Sequence, residues 1–229
     1  MTTPLAIAAD PLASLSPPLR WLMARATPDD EALALVQTSS TLDALFTACI
    51  DAKLFPSAIR LISAVLPPRE SVWWAWVSAR HATQMPGGKA PNAAVHAAIG
   101  AVERWITRPD DAARREAWDA GNTAGLDTPI GMVSAAVFLS GTTVAPPHVP
   151  PVPPPPGSAM PLIAGAITIA GASTTNADQI QPTLGAFAAQ GLEIVKRLGG
   201  WDAALAAAHS THLRQLQEYD SATAAPAAR

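Results

Sequence analysis

Residues 145–156 read APPHVPPVPPPP, and eight of these twelve positions are proline. A helix cannot form here, because each proline lacks a backbone N–H and its ring clashes with the preceding turn. A central strand is excluded by the same lack of donors. The composition predicts an extended polyproline II segment, about 37 Å long at ~3.1 Å per residue. On either side of it the chain reads as helix after helix. The segment at 145–157 therefore separates an N-terminal helical region, 1–144, from a C-terminal helical region, 158–220, with a loose tail at 221–229.

The helices are marked by their punctuation. Pro17 and Pro18 open the first, and Thr27 with Pro28 is read as the start of the second. Leu42, Leu45, Phe46, Cys49 and Ile50 then fall at i, i+3, i+4, i+7 and i+8, an amphipathic stripe. Pro56, Pro68, Pro109 and Pro129 each sit at or just before a further start, and Asn176 with Gln179 has the spacing of a capping box. In the helix expected over 160–172, Gly165 and Gly171 leave a slim face for close neighbours. Leu205, Leu213 and Leu216 are placed near the inner face of the last helix. Period-two alternation is absent, and no fixed repeat occurs. The expected fold is all-α: an irregular antiparallel helix-hairpin bundle of about ten helices, with the proline segment strapping the last ones to the rest.

Composition narrows the chemistry. Charged residues make up 14 % of the 229 positions and the net charge is −3. The basic residues are scattered, so no nucleic-acid footprint is present. The most apolar window, 160–172, is too short for a membrane span of ~20 residues. The N-terminus MTTPLAIAADPL has no basic leader region, and a cytoplasmic location is expected. The single cysteine, Cys49, reads as a buried thiol.

Candidate sites are few. In 66–76, LPPRESVWWAW, the three tryptophans cannot all face one way, since each residue turns about 100°. Trp76 shares a face with Val72, Ala75 and Ala79 and is assigned to the core. Arg69, Trp74 and Arg80 are the members of a possible partner-binding hot spot, because Trp and Arg are enriched there. A pocket around Arg69, Glu70, Arg80 and His81 is the alternative, an enzyme or small-ligand site. His209 and His212 stand at i,i+3 with no third ligand, so no metal or cofactor is assigned. Asp29-Asp30 and Asp110-Asp111 suit the positive ends of helix dipoles. Arg114-Arg115 beside Glu116 reads as a solvated helix face, and the GGK at 87–89 lacks the rest of a phosphate loop. In the proline segment, His148, Val149 and Val152 are candidate contacts. Val144, Val149 and Val152 give the segment an apolar side that favours docking on its own helical body, ahead of a stiff spacer and, last, a ligand for an aromatic-lined groove of another protein.

The strings LPPRESVWWAW, LSGTTVAPPHVPPVPPPP and GAITIAG resemble an uncharacterised bacterial protein family over roughly residues 43–198. The resemblance implies no catalytic residues. It associates the chain with gene neighbourhoods of contractile, type VI-like secretion machinery, and so implies an accessory or adaptor protein. Both lines lead to one expectation: a non-enzymatic interaction protein with a protein partner.

Overall fold

The computed structural model describes residues 12–85 and 91–224. Within them the chain forms eleven α-helices: α1 (Pro17–Ala26), α2 (Asp30–Val36), α3 (Leu42–Asp51), α4 (Phe55–Val65), α5 (Pro68–Ala82), α6 (Ala93–Thr107), α7 (Asp111–Ala124), α8 (Pro129–Leu139), α9 (Ala159–Ala172), α10 (Ile180–Arg197) and α11 (Trp201–Ala224). No strand occurs among the described residues. The GGK stretch and the extreme termini lie outside them.

Local chemistry explains the boundaries. The side chains of Asp29, Thr41, Asn92, Asp110 and Thr128 each accept the N–H three residues on, satisfying first-turn donors. Thr27 does not cap α2 as expected. It ends α1 in the left-handed region, at φ 40°, and Asp29 takes the cap instead. The Asp29 carboxylate has a second reason to be there: it accepts the Ser57 hydroxyl at 2.6 Å, tying α2 to α4. Burial pushes the Asp29 carboxyl up, but the bonds from Ser57 and Ala32 outweigh it and hold the group below its ordinary value. Asn176 caps only a single 3-10 turn, Ala177–Gln179, and α10 begins after it with Pro182 in its first turn.

Successive helices pack as neighbours, α6 on α7, α7 on α8 and α8 on α9. Helix α9 is central and touches α4, α5, α8 and α10. Its slimness is used as the glycines suggest: Gly165 faces the Met132 methyl and Gly171 faces Leu184. Helices α1 and α11 lie together against α4. One apolar cluster runs through all of this, from Leu22 to Leu205, so both sides of the proline segment share a core. Cys49 lies in that cluster with its thiol pushed up to about 11, by burial and by the Asp29 charge. No helix of the described residues is long and apolar enough to cross a membrane.

The bulk sits on α5. Trp74 is fully buried and its Nε1 donates to the Phe187 carbonyl of α10 at 3.0 Å. A Cβ at Gly191 would stand 2.6 Å from the indole, so only glycine lets α10 lie there. Trp74 is therefore a core residue and not part of a surface hot spot. Trp76 is buried as expected, donating to the Ile99 carbonyl at 3.0 Å, with the Arg80 guanidinium 4.6 Å above its ring. The exposed member of the three is Trp73.

The last helix differs from expectation. Leu205 is buried, but Leu213 and Leu216 are exposed, and the helix continues through 221–224 instead of loosening at 221. Past Leu205 no residue of α11 is buried.

Two substitutions test this account. Trp76→Ala is expected to cost about 3–5 kcal/mol, the range for a buried aromatic. Gly191→Ala is expected to cost about 1–3 kcal/mol by overpacking against Trp74. Chemical denaturation monitored by circular dichroism reads both, and an unchanged midpoint for Gly191→Ala would show that Trp74 does not bear on α10.

Candidate functional site

A chain of prolines offers carbonyl acceptors and no donors. Its carbonyls call for donors, and arginines supply them at its two ends and at the residues just before it. Arg114 of α7 donates from Nη1 to the Phe138 carbonyl at 2.6 Å and from Nη2 to the Thr143 carbonyl at 2.9 Å. Arg115 donates to the Ala145 carbonyl at 2.7 Å. At the other end, Arg25 of α1 donates to the Pro156 carbonyl at 3.0 Å. Gly157 makes that reach possible. Its φ is +75°, and a Cβ there would fall on the Arg25 guanidinium.

Arg114 is only 3 % exposed, which corrects its reading as part of a solvated face. It lies on the stripe of Ala117 and Gly121, the buried residues of α7. Its charge is answered by Asp111, one turn back, and its plane rests 4.8 Å over the Phe138 ring, which stacks on Trp118. Asp111 also takes Arg115 at 2.8 Å. Hydrogen bonds from Arg115 and then Arg114 hold the Asp111 carboxyl below its ordinary value. Glu116 instead pairs with Arg104 of α6.

The proline segment is not one straight rod. The Val144 N–H donates to the Val152 carbonyl at 2.8 Å, and the Thr143 hydroxyl accepts from both Ala145 and Val152. These bonds close residues 145–152 into a loop. At its tip the Val149 N–H meets the Pro146 carbonyl at 3.3 Å, and His148 sits at φ 72°. Proline followed by a positive φ is the pattern of a type II turn, usually given to Gly or Asn at the second place. A histidine there is held by the closure on both sides.

This closure overturns the docking of the valines on the body. His148 is exposed, and Val149 and Val152 are 53 % and 52 % exposed. It is the following run, residues 153–157, that lies along the helices. There it faces α11 across a groove of about 510 Å3, floored by Pro67, Pro68 and Ser71 at the start of α5 and by the end of α8.

The alternative pocket does not assemble. Arg69 donates to the Ile106 carbonyl at the start of α5, while Arg80 and His81 lie at its far end against Trp76 and Phe187. Eleven residues of helix separate Arg69 from Arg80, roughly 16 Å at 1.5 Å per residue. His209 and His212 both lie against Trp21, with ring centroids 5.5 Å away. No group of three or more His, Cys, Asp or Glu side chains among the described residues is arranged to hold a metal.

An all-helical bundle that braces an exposed proline loop with buried and half-buried arginines is thus the class this chain represents. It belongs to the family of unknown function DUF6931, whose sequence model matches residues 45–195. That match contains Arg114, Arg115, Thr143 and the whole loop; Arg25 and α11 lie outside it. No curated protein and no solved structure matches the chain.

The brace sets two expectations. Thr143→Val removes the shared acceptor, so the Val152 and Ala145 amides are expected to exchange with deuterium faster while the Trp74 region stays protected. Unaltered exchange would show that the loop is not closed by Thr143. The second concerns pH. A carboxyl held low contributes stability above its unfolded value of about 3.9 and loses it as the pH falls through the lower folded value. Asp111→Asn is therefore expected to melt below the parent at pH 7, with the gap closing as the pH drops beneath about 4.

Proposed function

We propose that this protein is a non-enzymatic interaction module, an adaptor or assembly factor, that presents residues 146–152 to a protein partner. The observation that carries this is the pairing of exposure with rigidity. Two valines and a set of prolines stand in solvent, on a loop closed by Thr143 and anchored through Arg114 and Arg115.

Apolar residues in an ordinary surface loop have no such scaffold. Building one makes sense when the loop must keep its shape for another molecule, since a pre-ordered segment loses less entropy on binding. Proline-rich segments are recognised in this way, by aromatic-lined grooves that accept the rings and gaps between them. His148, Val149 and Val152 are the proposed contacts. Trp74 is withdrawn from the proposed surface, and the neighbouring Trp73 lies on a different element, outside this reading. The placing of the role beside a secretion machine rests on the sequence resemblance alone.

A photo-crosslinking residue at position 149 of the full chain tests the reading in the cell of origin. One protein is expected to be captured there and not from position 123 on α7. After purification it should bind the chain, and Val149→Asp with Val152→Asp should weaken binding by about tenfold or more, or ~1.4 kcal/mol, with the melting temperature unchanged. Capture equal to that at position 123, or affinity indifferent to the two aspartates, would overturn the proposal.

A further inference from the structure

Five histidines occur in the chain, and three of them, His81, His96 and His148, are exposed. The other two are half-buried and lie against one ring. His209 and His212 of α11 each have their centroid 5.5 Å from that of Trp21 on α1. The Arg25 guanidinium stands over the same indole at 5.9 Å. These contacts hold a helix that has little else to hold it. Leu205 is the last buried residue of α11, so residues 206–224 meet the body through half-buried side chains alone.

The seam suits His212 as a neutral ring and not as a charged one. An imidazolium donates from both nitrogens, whereas the neutral ring carries one proton and can keep it on Nε2. The His212 Nδ1 is buried with no hydrogen-bond partner, and so is the Trp21 Nε1, itself a donor. A proton on that Nδ1 would add a second buried donor without an acceptor. Charge adds to the cost. The charged groups acting on His212 are Arg25 of α1 and His209 of its own helix, both cationic. Arg20 of α1 donates to the Ala13 carbonyl and Arg60 of α4 to the Thr27 carbonyl. The remaining charges on the elements packed against α11 are Asp43 and Asp51 of α3 and Glu193, Lys196 and Arg197 of α10, and none of them acts on His212. The same holds for Asp202, Arg214, Glu218 and Asp220 along α11. No carboxylate pairs with Arg25 among the described residues. A tryptophan face attracts a cation, but this one already carries Arg25. Burial first, then the charges of Arg25 and His209, holds the pKa of His212 below its ordinary 6.5. A ring released into water therefore takes up a proton at a higher pH than the docked one. The docked seam loses stability as the pH falls through about 6.5.

We propose that the seam between α1 and α11 is an acid-released latch. With His212 neutral, the outer half of α11, residues 206–224, rests on Trp21; with His212 protonated, that half swings away from α1. The part that moves is the groove wall from Ala207 to Ala222, so its release uncovers the rings of residues 153–156 and the side chain of Met160. Both helices lie outside the matched residues 45–195, so the latch is built from elements flanking the family's shared part. It does not depend on the loop at 146–152 meeting a partner.

Distances between paired spin labels on the full chain test this. The first pair is Ala24→Cys on α1 with Gln217→Cys on α11, both exposed positions. Cys49, buried with its thiol pushed up to about 11, stays unlabelled. A single distance is expected at about pH 8, and a longer one should dominate at about pH 5, reversibly. A second pair, Ala24→Cys with Asn122→Cys on α7, should keep its distance, because the Asp29 and Asp111 carboxyls are held below their ordinary range and stay charged there. His212→Phe keeps a ring on Trp21 and removes the proton, so the first pair should stay at its neutral-pH distance in acid. Circular dichroism checks that variant. If it unfolds, the imidazole resonances of His212 in the parent decide, and they should titrate below 6.5. An unchanged first pair in acid, an equal lengthening of the second pair, acid lengthening that persists in folded His212→Phe, or a His212 midpoint at or above 6.5 would each overturn the proposal.

Discussion

The indole of Trp74 is the fixed point of this molecule. An alanine-rich bundle has little bulk with which to hold helices in register, and an aromatic side chain that buries about 150–250 Å2 supplies what the alanines lack. The indole N–H must find an acceptor once buried, and it finds the Phe187 carbonyl. Gly191 must then be bare for the ring to lie flat against α10. These two demands set where α10 runs relative to α5. Helix α9, thinned by glycine, packs against both. Trp76 on the same helix reaches the opposite way, to the backbone of α6. A single helix thus bridges the halves of the chain on either side of the proline segment.

A second constraint follows from what proline lacks. Twelve residues with eight prolines cannot be held by a backbone ladder, so one backbone bond, from Val144 to Val152, is joined by side chains: the Thr143 hydroxyl as acceptor and arginines as donors. Guanidinium suits this because it offers several N–H groups in a fixed fork and is always charged. Arg114 uses the fork on two carbonyls at once while Asp111 answers its charge. Burying that charge is tolerable only because every side of it is engaged. The brace also couples the interior to the surface: α7 and α8, packed through Trp118 and Phe138, hold the root of an exposed loop.

The same absence of donors shapes the groove. Where residues 153–156 run along the helices they present rings, and α11 opposite presents the methyl groups of Ala203, Ala204, Ala207 and Ala208 and then the polar side chains of Thr211, His212, Gln215, Glu218 and Tyr219. Ser71, Ser140 and Thr142 add hydroxyls to the rest of the lining. The family match covers the loop and most of its brace but stops short of α11. The loop therefore belongs to the shared part of the chain, and the second wall of the groove lies beyond it.

Much of the fold is written locally. Caps such as Thr41 and Thr128, prolines at first turns, and the stripe from Leu42 to Ile50 depend on residues within one or two turns, and they appear where the spacing places them. The core position of Trp76 is legible for the same reason, since its face is shared with Val72 and Ala79. What stayed hidden depends on partners far away in the chain. Asp29 rather than Thr27 caps α2 because Ser57, twenty-eight residues on, adds a bond. Trp74 and Trp73 are indistinguishable by type, and only the carbonyl of Phe187 and the bare face of Gly191 decide which is buried. Arg114 stands on the stripe of Ala117 and Gly121, a signal that was present, but a buried arginine is intelligible only beside the Phe138 and Thr143 carbonyls and the Asp111 carboxylate that take up its donors. Local periodicity determines which residues form helices and roughly where they end. The closure of the proline loop, the identity of its braces and the groove along α11 come from long-range hydrogen bonds and packing, which only the tertiary structure brings together.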